Sequence, residues 1–496
     1  MPGVEYVFVL MLENRSFDHM LGFSGITGTD VVTGQSTPIN GLTGNESNFV
    51  VSGQKPHEYK VTRGAGYRSP MDPPHEFTDV LHQLCGQTAV YPPGGAYPAI
   101  DASGFAAAYA AKGGDPAEVM KCYTPAQLPV LNALAREFVL CDNWHASLPG
   151  PTWPNRMFVH GATASGLDHS PTVAEIAQWE TVAGFSFKNG SIFDRLSGRG
   201  VKRCLYAGDD FPLVAALKGI GVADIRHYSQ FQSDLAQPTY PYHYVFIEPG
   251  YDVLHDYKAG TSQHPLGDVT AGEALIKQTY EAIRQSAIWN RSLLIVTWDE
   301  HGGFYDHAIP GPAVPPGDTL PDSPYNNSRF TFQQYGVRVP AVIISPLIPQ
   351  NIVDHRIYDH SCIPRYLESV FSLNGLTQRD RNATDITTLV RLTTPRETPR
   401  TLPSPANSSQ PAPDFAAPAP AVPTVTVSRP ADTVNAGNLP SVVHSAMQQD
   451  LTVSPGDRTA IVDRVGQIQT REEAAQYMAE VQQKVRANPA AAAARG

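Results

Sequence analysis

At 496 residues, 42% hydrophobic and 17% charged, the chain has an ordinary globular composition and the length for a large α/β domain with additions. A net charge of -11 gives no general basic surface, which argues against a nucleic-acid binder but leaves phosphate chemistry open wherever a cation reverses the sign locally. No apolar run reaches the ~18 residues of a membrane span, so no transmembrane segment is expected.

Two further bulk features narrow the class. The five cysteines (Cys85, Cys122, Cys141, Cys204 and Cys362) are scattered and form no C-x-x-C pair, the pattern of isolated buried thiols. The apolar stretch Val7 to Leu12 is short and lacks a basic n-region, so a cytoplasmic location is expected, or export to the cell envelope if a leader has been removed.

In chain order, Val4 to Leu12 reads as a first strand. It ends on Glu13-Asn14-Arg15-Ser16-Phe17-Asp18, which either starts a helix with Asn14 as N-cap or presents oxygen atoms to a metal. Residues 24–74 are rich in Gly, Ser, Thr, Asn and Pro and are expected to make a long surface excursion. Asp72-Pro73-Pro74-His75-Glu76-Phe77 opens a helix through Val80, Leu81 and Leu84, with His75 either a solvated first-turn residue or a site group. Helical pattern is expected over 116–139, followed by a short strand, Phe138 to Cys141.

That strand delivers Asp142 to Arg156, where three prolines and a glycine hold the backbone around Thr152. Thr152 is either a plain N-cap for a helix through Met157 to Gly161 or a hydroxyl placed against a phosphate. Asn155 and Arg156 beside it favour the second, since Arg suits phosphate oxygens. From 165 to 245 helices and short strands alternate, the βαβ rhythm of a mostly parallel sheet. A polar loop over 256–268 contains His264, and an amphipathic helix over 272–289 feeds an apolar strand at 292–298. Beyond that strand come Asp299-Glu300-His301-Gly302-Gly303-Phe304-Tyr305-Asp306-His307, three acids and two histidines around a Gly-Gly turn. Val339 to Pro346 reads as an edge-like strand and Asp359 to Phe371 as a helix.

The expected organisation is a catalytic domain over 1–393, a Pro/Ala/Ser-rich linker over 394–440 and a helical tail over 441–496. The strand ends carry Glu13 and Asn14, Thr152, and Asp299 and Glu300. Acids packed this densely behind apolar strands repel unless a cation lies between them. A divalent ion held by Glu13, Asn14, Asp299 and Glu300 could lower the pKa of the Thr152 hydroxyl for attack on phosphorus. Oxygen ligands favour Ca²⁺, Mg²⁺ or Mn²⁺, with Zn²⁺ still open. Histidines at 75, 264, 301 or 307 could bind phosphate oxygens or protonate the leaving group.

Glu13 to Gly22, Pro149 to Arg156 and Asp299 to His307 resemble three motifs of the bacterial and plant phosphoesterase family, which includes phosphatidylcholine-type (non-specific) phospholipases C and a related acid phosphatase. Asp72 to His75, Phe246 to Pro249, His264-Pro265 and Asp359 to Ser361 fall in the family's order, and the likeness spans roughly 4–385. It implies an alkaline-phosphatase-like α/β fold, a mostly parallel central sheet flanked by helices. It implies Glu13, Asn14, Asp299 and Glu300 at a divalent metal, Thr152 as nucleophile, and His75, His264 and His301 lining the pocket. Asn155, Arg156 and His307 are expected on the substrate.

The first expectation is therefore a metal-dependent phospholipase C acting through a phospho-threonine on phospholipid, with peripheral membrane contact left open. The second is a broad-specificity acid phosphatase acting on small phosphate esters. A dead core whose tail recruits a partner is disfavoured by the complete constellation. Sulfatase chemistry is disfavoured because Cys362-Ile363-Pro364-Arg365 places its Arg one position early.

Overall fold

The apolar run Tyr6–Leu12 is buried at every position and forms an interior strand, β1, of a ten-stranded sheet. The computed structural model describes residues 3–53, 55–178, 184–318, 323–407, 415 and 427–488. The other strands of this sheet are β2 (Thr27–Asp30), β3 (Ser36–Pro38), β4 (Val139–Cys141), β5 (Arg203–Ala207), β6 (Ile225–His227), β7 (Tyr244–Glu248), β8 (Ser292–Trp298), β9 (Ala341–Ile344) and β10 (Ile352–Asp354). Their spatial order is β6-β5-β7-β1-β8-β9-β4-β10-β2-β3. Only β9 and β3 run against their neighbours, so the sheet is mostly parallel, as the alternating pattern implies. Parallel strands need helical crossovers that cover both faces, which is why β1 and β8 read as unbroken apolar runs.

The register of two central strands places the acidic segments. β1 and β8 pair in parallel from Tyr6 opposite Ser292 to Leu12 opposite Trp298. Glu13-Asn14 and Asp299-Glu300 therefore leave the sheet side by side at its carboxyl edge, where open α/β sheets place their ligands.

Several expectations are corrected. Residues 24–74 are not simply a surface excursion: β2 and β3 extend the main sheet, and Ser47–Ser52 pairs with Lys55–Lys60 in a hairpin. The 341–344 strand is not at an edge; it lies between β8 and β4, antiparallel to both. The 116–139 stretch is helical only in part, because Pro125 and Pro129 delay the helix to Pro129–Glu137. Helix α1 (Phe17–Leu21) is capped by the Ser16 hydroxyl, which accepts from the His19 N–H, so Asn14 is not its N-cap. Helix α2 (Phe77–Cys85) follows the expected pattern, and α3 (Thr152–Gly161) begins at Thr152 itself, with Pro151 in the cap position.

Helix α4 (Val269–Gln285) buries Leu275, Ile276, Thr279, Tyr280 and Ile283, and its Asp268 cap accepts from the Thr270 N–H. Part of the expected linker, residues 408–414 and 416–426, lies outside the described residues. Within its described part, Lys277 bonds Leu402 O and Tyr280 bonds Pro399 O, so this stretch runs against α4. Later in the chain come helices α5 (Cys362–Phe371), α6 (Leu439–Val453), α7 (Arg458–Gly466) and α8 (Arg471–Ala487). Every residue of α6 from Leu439 to Leu451 is buried, and Leu439, Val443 and Met447 join the same hydrophobic core as the central strands. Four of the five cysteines are buried and all are free, as their spacing implies. Among the described residues no helix is long and apolar enough to cross a membrane.

Candidate active site

The end of β1 and the end of β8 meet through backbone and side chain. The Asn14 N–H donates to Asp299 Oδ1 at 3.0 Å, and the Arg15 N–H to the Glu300 carbonyl at 2.9 Å. The Asn14 amide nitrogen donates to Glu300 Oε1 and, at 3.1 Å, to the Thr152 hydroxyl oxygen. Asn14 holds a left-handed backbone, φ 57°, a conformation that Asn tolerates better than most residues. Two segments, 138 and 286 residues distant from Asn14 in sequence, thus converge on its amide. Glu13, Asn14, Thr152, Asp299 and Glu300 are all buried.

Thr152 is the first residue of α3, so its hydroxyl lies at the amino end of a helix, where N–H groups lack intrahelical partners and favour anions. The Asn155 side chain fixes the preceding loop: its oxygen accepts from the Leu148 N–H, and its nitrogen donates to the carbonyls of Leu148, Gly150 and Pro151. That is a correction. Asn155 is fully spent on the loop and is not presented to a substrate. Arg156, expected on the substrate, also has partners within the protein. It donates to Asp299 Oδ2 at 2.9 Å and to the carbonyls of Met11 and Leu12, tying the helix to both strand ends. One of its nitrogens, Nη1, is buried without a partner among the described residues.

Burial drives the electrostatics. It pushes the Glu13 carboxyl well above its usual range, and the Asp299 charge adds to this. Asp299 is also raised by burial, against the pull of Arg156. Glu300 is lowered, because His75 and His301 together with the Gly302 N–H outweigh its burial. Burial is thus the chief cause of the rise in Glu13 and Asp299, and their neighbouring carboxyls add to it.

The histidines divide. His75 donates through Nδ1 to the Pro73 carbonyl at 2.8 Å. Burial opposes its protonation, but Glu300, Asp72 and Glu76 outweigh this and lift it to about 9. His264 accepts from the Leu266 N–H at Nδ1, so its proton sits on Nε2, 3.5 Å from Asp72. Its ring stacks on Tyr257 at 3.5 Å, and burial holds it well below its ordinary value. His301 lies between Gln83 Oε1, 2.7 Å from Nε2, and Glu300, 3.3 Å from Nδ1; it orients the carboxylate. His360 accepts from the Trp144 indole N–H and donates through Nε2 to the Asp299 carbonyl at 2.6 Å. The sequence placed His360 in a motif but assigned it no role.

Does a cation suit this cluster? Among the described residues, Glu13 Oε2 and Asn14 Oδ1 are buried oxygens without a hydrogen-bond partner, beside carboxyls raised by burial and, to a lesser degree, by one another. An oxygen-ligated divalent ion would satisfy both deficits, so the residues fit. A second cluster, Asp18, Asp306 and His307, has ligand atoms at metal-like spacing. There Arg338 already supplies the positive charge, with Nη2 at 3.0 Å from Asp18 and Nε at 2.9 Å from Asp306. His307, expected on the substrate, is bound to Asp18 and Asn40 in that cluster.

Two residues near the site carried no sequence signal. Tyr257 walls His264, and Asn438 donates its side-chain amide to Glu13 Oε1 from 425 positions away. Nothing in a polar loop or at the start of a tail helix marks either one.

The family model described as the Phosphoesterase family matches residues 4–374. Among similar proteins, "Non-specific phospholipase C6" of Arabidopsis thaliana is 35% identical across 83% of this chain and 78% of its own length. "Non-specific phospholipase C3" of the same plant is 33% identical across 81% and 76%. "Phospholipase C B" of Mycobacterium tuberculosis (strain ATCC 25618 / H37Rv) is 27% identical across 80% and 79%. A solved alkaline phosphatase superfamily protein from Vibrio parahaemolyticus aligns at 16% identity over 52% of this chain and 64% of its own, with a TM-score of 0.30, too loose to bear on the site.

Proposed function

The chain belongs to the phosphoesterase family, and from that premise we propose that it is a metal-dependent phospholipase C that cleaves phospholipid to diacylglycerol and a phosphorylated head group. The observation that carries the reading is the Thr152 hydroxyl held 3.1 Å from the Asn14 amide, which also grips Glu300. Glu13, Asn14, Asp299 and Glu300 would hold the cation. A bound divalent ion would acidify the Thr152 hydroxyl and draw charge from the phosphoryl oxygens.

The chain's own groups then account for the rest. Thr152 Oγ, deprotonated, forms a bond to phosphorus as the bond from phosphorus to the glycerol oxygen breaks. The leaving alkoxide takes a proton from His75, which its acidic neighbours keep protonated. Water then attacks the phospho-threonine, giving one proton to His75 and keeping the other on the phosphate product, and the bond from phosphorus to Oγ breaks to return the alkoxide that began the cycle. The amino end of α3 stabilises the added phosphoryl charge. Arg156 opposes the rise that burial imposes on Asp299, and His301 keeps Glu300 aimed. His264, neutral and carrying its proton on Nε2, can donate to a phosphate oxygen but cannot accept a proton there.

Assays on phosphatidylcholine dispersions and on p-nitrophenyl phosphate, run in parallel with added divalent cation, test this. Diacylglycerol release from the lipid is expected, and Thr152→Ala should lose at least about 10³-fold of it. Turnover of the aryl phosphate alone would leave a phosphomonoesterase; undiminished turnover by Thr152→Ala would remove the covalent mechanism.

A further inference from the structure

The acids, the nucleophile and the histidines of the candidate site all precede residue 380, yet the segment that closes over them comes from the end of the chain. Asn438 stands at the N-cap of α6. An asparagine there ordinarily spends its side chain on the N–H groups of the first turn. Here it makes no such bond, and its amide nitrogen donates to Glu13 Oε1 instead. Its backbone N–H donates to the Tyr257 hydroxyl at 3.0 Å, and the Tyr257 ring lies flat on His264. Farther along α6, His444 packs edge-on against Trp153, the neighbour of Thr152, with ring centroids 5.5 Å apart. Asn438 and the amino half of α6 thus touch Glu13, Tyr257 and Trp153, each in or beside the candidate centre.

We infer that Asn438 is a positioning residue of the cation site. It engages Glu13 by Oε1, so that Oε2, buried and without a hydrogen-bond partner among the described residues, is the oxygen offered to the ion. The inference rests on the reading of Glu13 as a ligand. Its consequence is that the functional unit does not end with the sheet: the tail helix brings an outer partner that fixes a ligand's rotamer, and such partners govern affinity as well as geometry. A purely structural role for Asn438, pinning the tail to the core, would demand the same hydrogen bond but would leave ion affinity untouched once the tail is docked.

The test uses the full chain and Mn²⁺ alone, titrated by calorimetry with the electron paramagnetic resonance signal of bound Mn²⁺ as a second readout. Asn438→Ala removes the donor. Asn438→Ser also removes it, being too short to reach Glu13, while supplying a good N-cap, so that variant keeps α6 in place. Both should bind Mn²⁺ about 10- to 100-fold more weakly than the parent with an altered resonance signal. Asn438→Ser with the parent's affinity and signal overturns the inference. Glu13→Gln separates the two layers. Affinity unchanged in Glu13→Gln, or no Mn²⁺ bound by the parent, sinks the reading of Glu13 as a ligand, and the role of Asn438 with it.

Discussion

Gly302 lies so close to Asn14 that a β-carbon on it would sit 2.1 Å from the Asn14 carbonyl oxygen, and both residues hold a left-handed backbone, φ 65° and 57°. The turn after β8 and the turn after β1 are therefore interlocked, and the interlock sets where Asn14 presents its amide. Gly302→Ala meets backbone, which cannot rotate away, and adds the strain of a positive φ. A loss of about 2–4 kcal/mol in urea unfolding is expected, with a matching collapse of activity on either substrate. Parent-like stability and turnover would show that the two turns can separate without harm.

Arg156 offers a test with a sign. Its charge opposes the rise that burial imposes on Asp299. In Arg156→Met the carboxyl must rise further, so protonation of Asp299 sets in at higher pH and the acid limb of the rate profile moves to the alkaline side. Arg156→Lys keeps the charge but cannot bridge Asp299 and the Leu12 carbonyl together. It should keep the limb near its place while kcat/KM falls about 10- to 100-fold. A pH–rate profile for each variant decides; an unmoved acid limb in Arg156→Met counts against this coupling.

How much of the molecule was legible in the sequence depends on the range of the signals involved. Buried parallel strands print as apolar runs, so 292–298 and its acidic exit were readable directly, as was the first strand. Position within a sheet leaves no such mark, and β9, flanked by Pro340 on one side and Pro346 on the other, looked like an edge while lying in the interior. Helix α6 is buried on all sides, which erases the amphipathic period that marks a surface helix. Arg156 shows a partner that spacing alone does not reveal: a guanidinium whose chemistry suits a phosphate also binds a carboxylate 143 positions away within the protein. Partners as remote as Glu13 and Asn438 cannot be paired from one sequence at all.

Asn155 separates loop architecture from substrate binding. Asn155→Ala strands three buried carbonyls and the Leu148 N–H. An unfolding loss of about 1–3 kcal/mol is expected. The effect on turnover should fall on kcat, because Thr152 is misplaced, with KM for p-nitrophenyl phosphate little changed. A large rise in KM at unchanged stability would instead return Asn155 to the substrate. His307→Ala, which touches the Arg338 cluster, should leave KM unchanged as well.

Acid should unfold this protein through its buried imidazoles. His145 and His360 are pushed down to about 4 and His160 to about 3, in each case chiefly by burial. His19 and His264 shift in the same direction. Each folded value lies below the unfolded one, so the unfolded chain binds the extra proton. The stabilisation is complete above the unfolded value and drains away as pH falls from about 6.5 towards the folded values. His160 isolates one such contribution, since it stacks on Phe193, meets Phe246 edge-on, and its Nδ1 has no partner among the described residues. It lies on the helix that begins with Thr152, so its protonation would strain the nucleophile's own support. Below pH 6 the parent should lose about 1.4 kcal/mol per pH unit through this group alone, and His160→Leu should flatten the slope by that amount. Urea unfolding of parent and variant at pH 7 and pH 5 measures it. Equal slopes in the two proteins would mean that His160 charges inside the fold, against the burial that defines its surroundings.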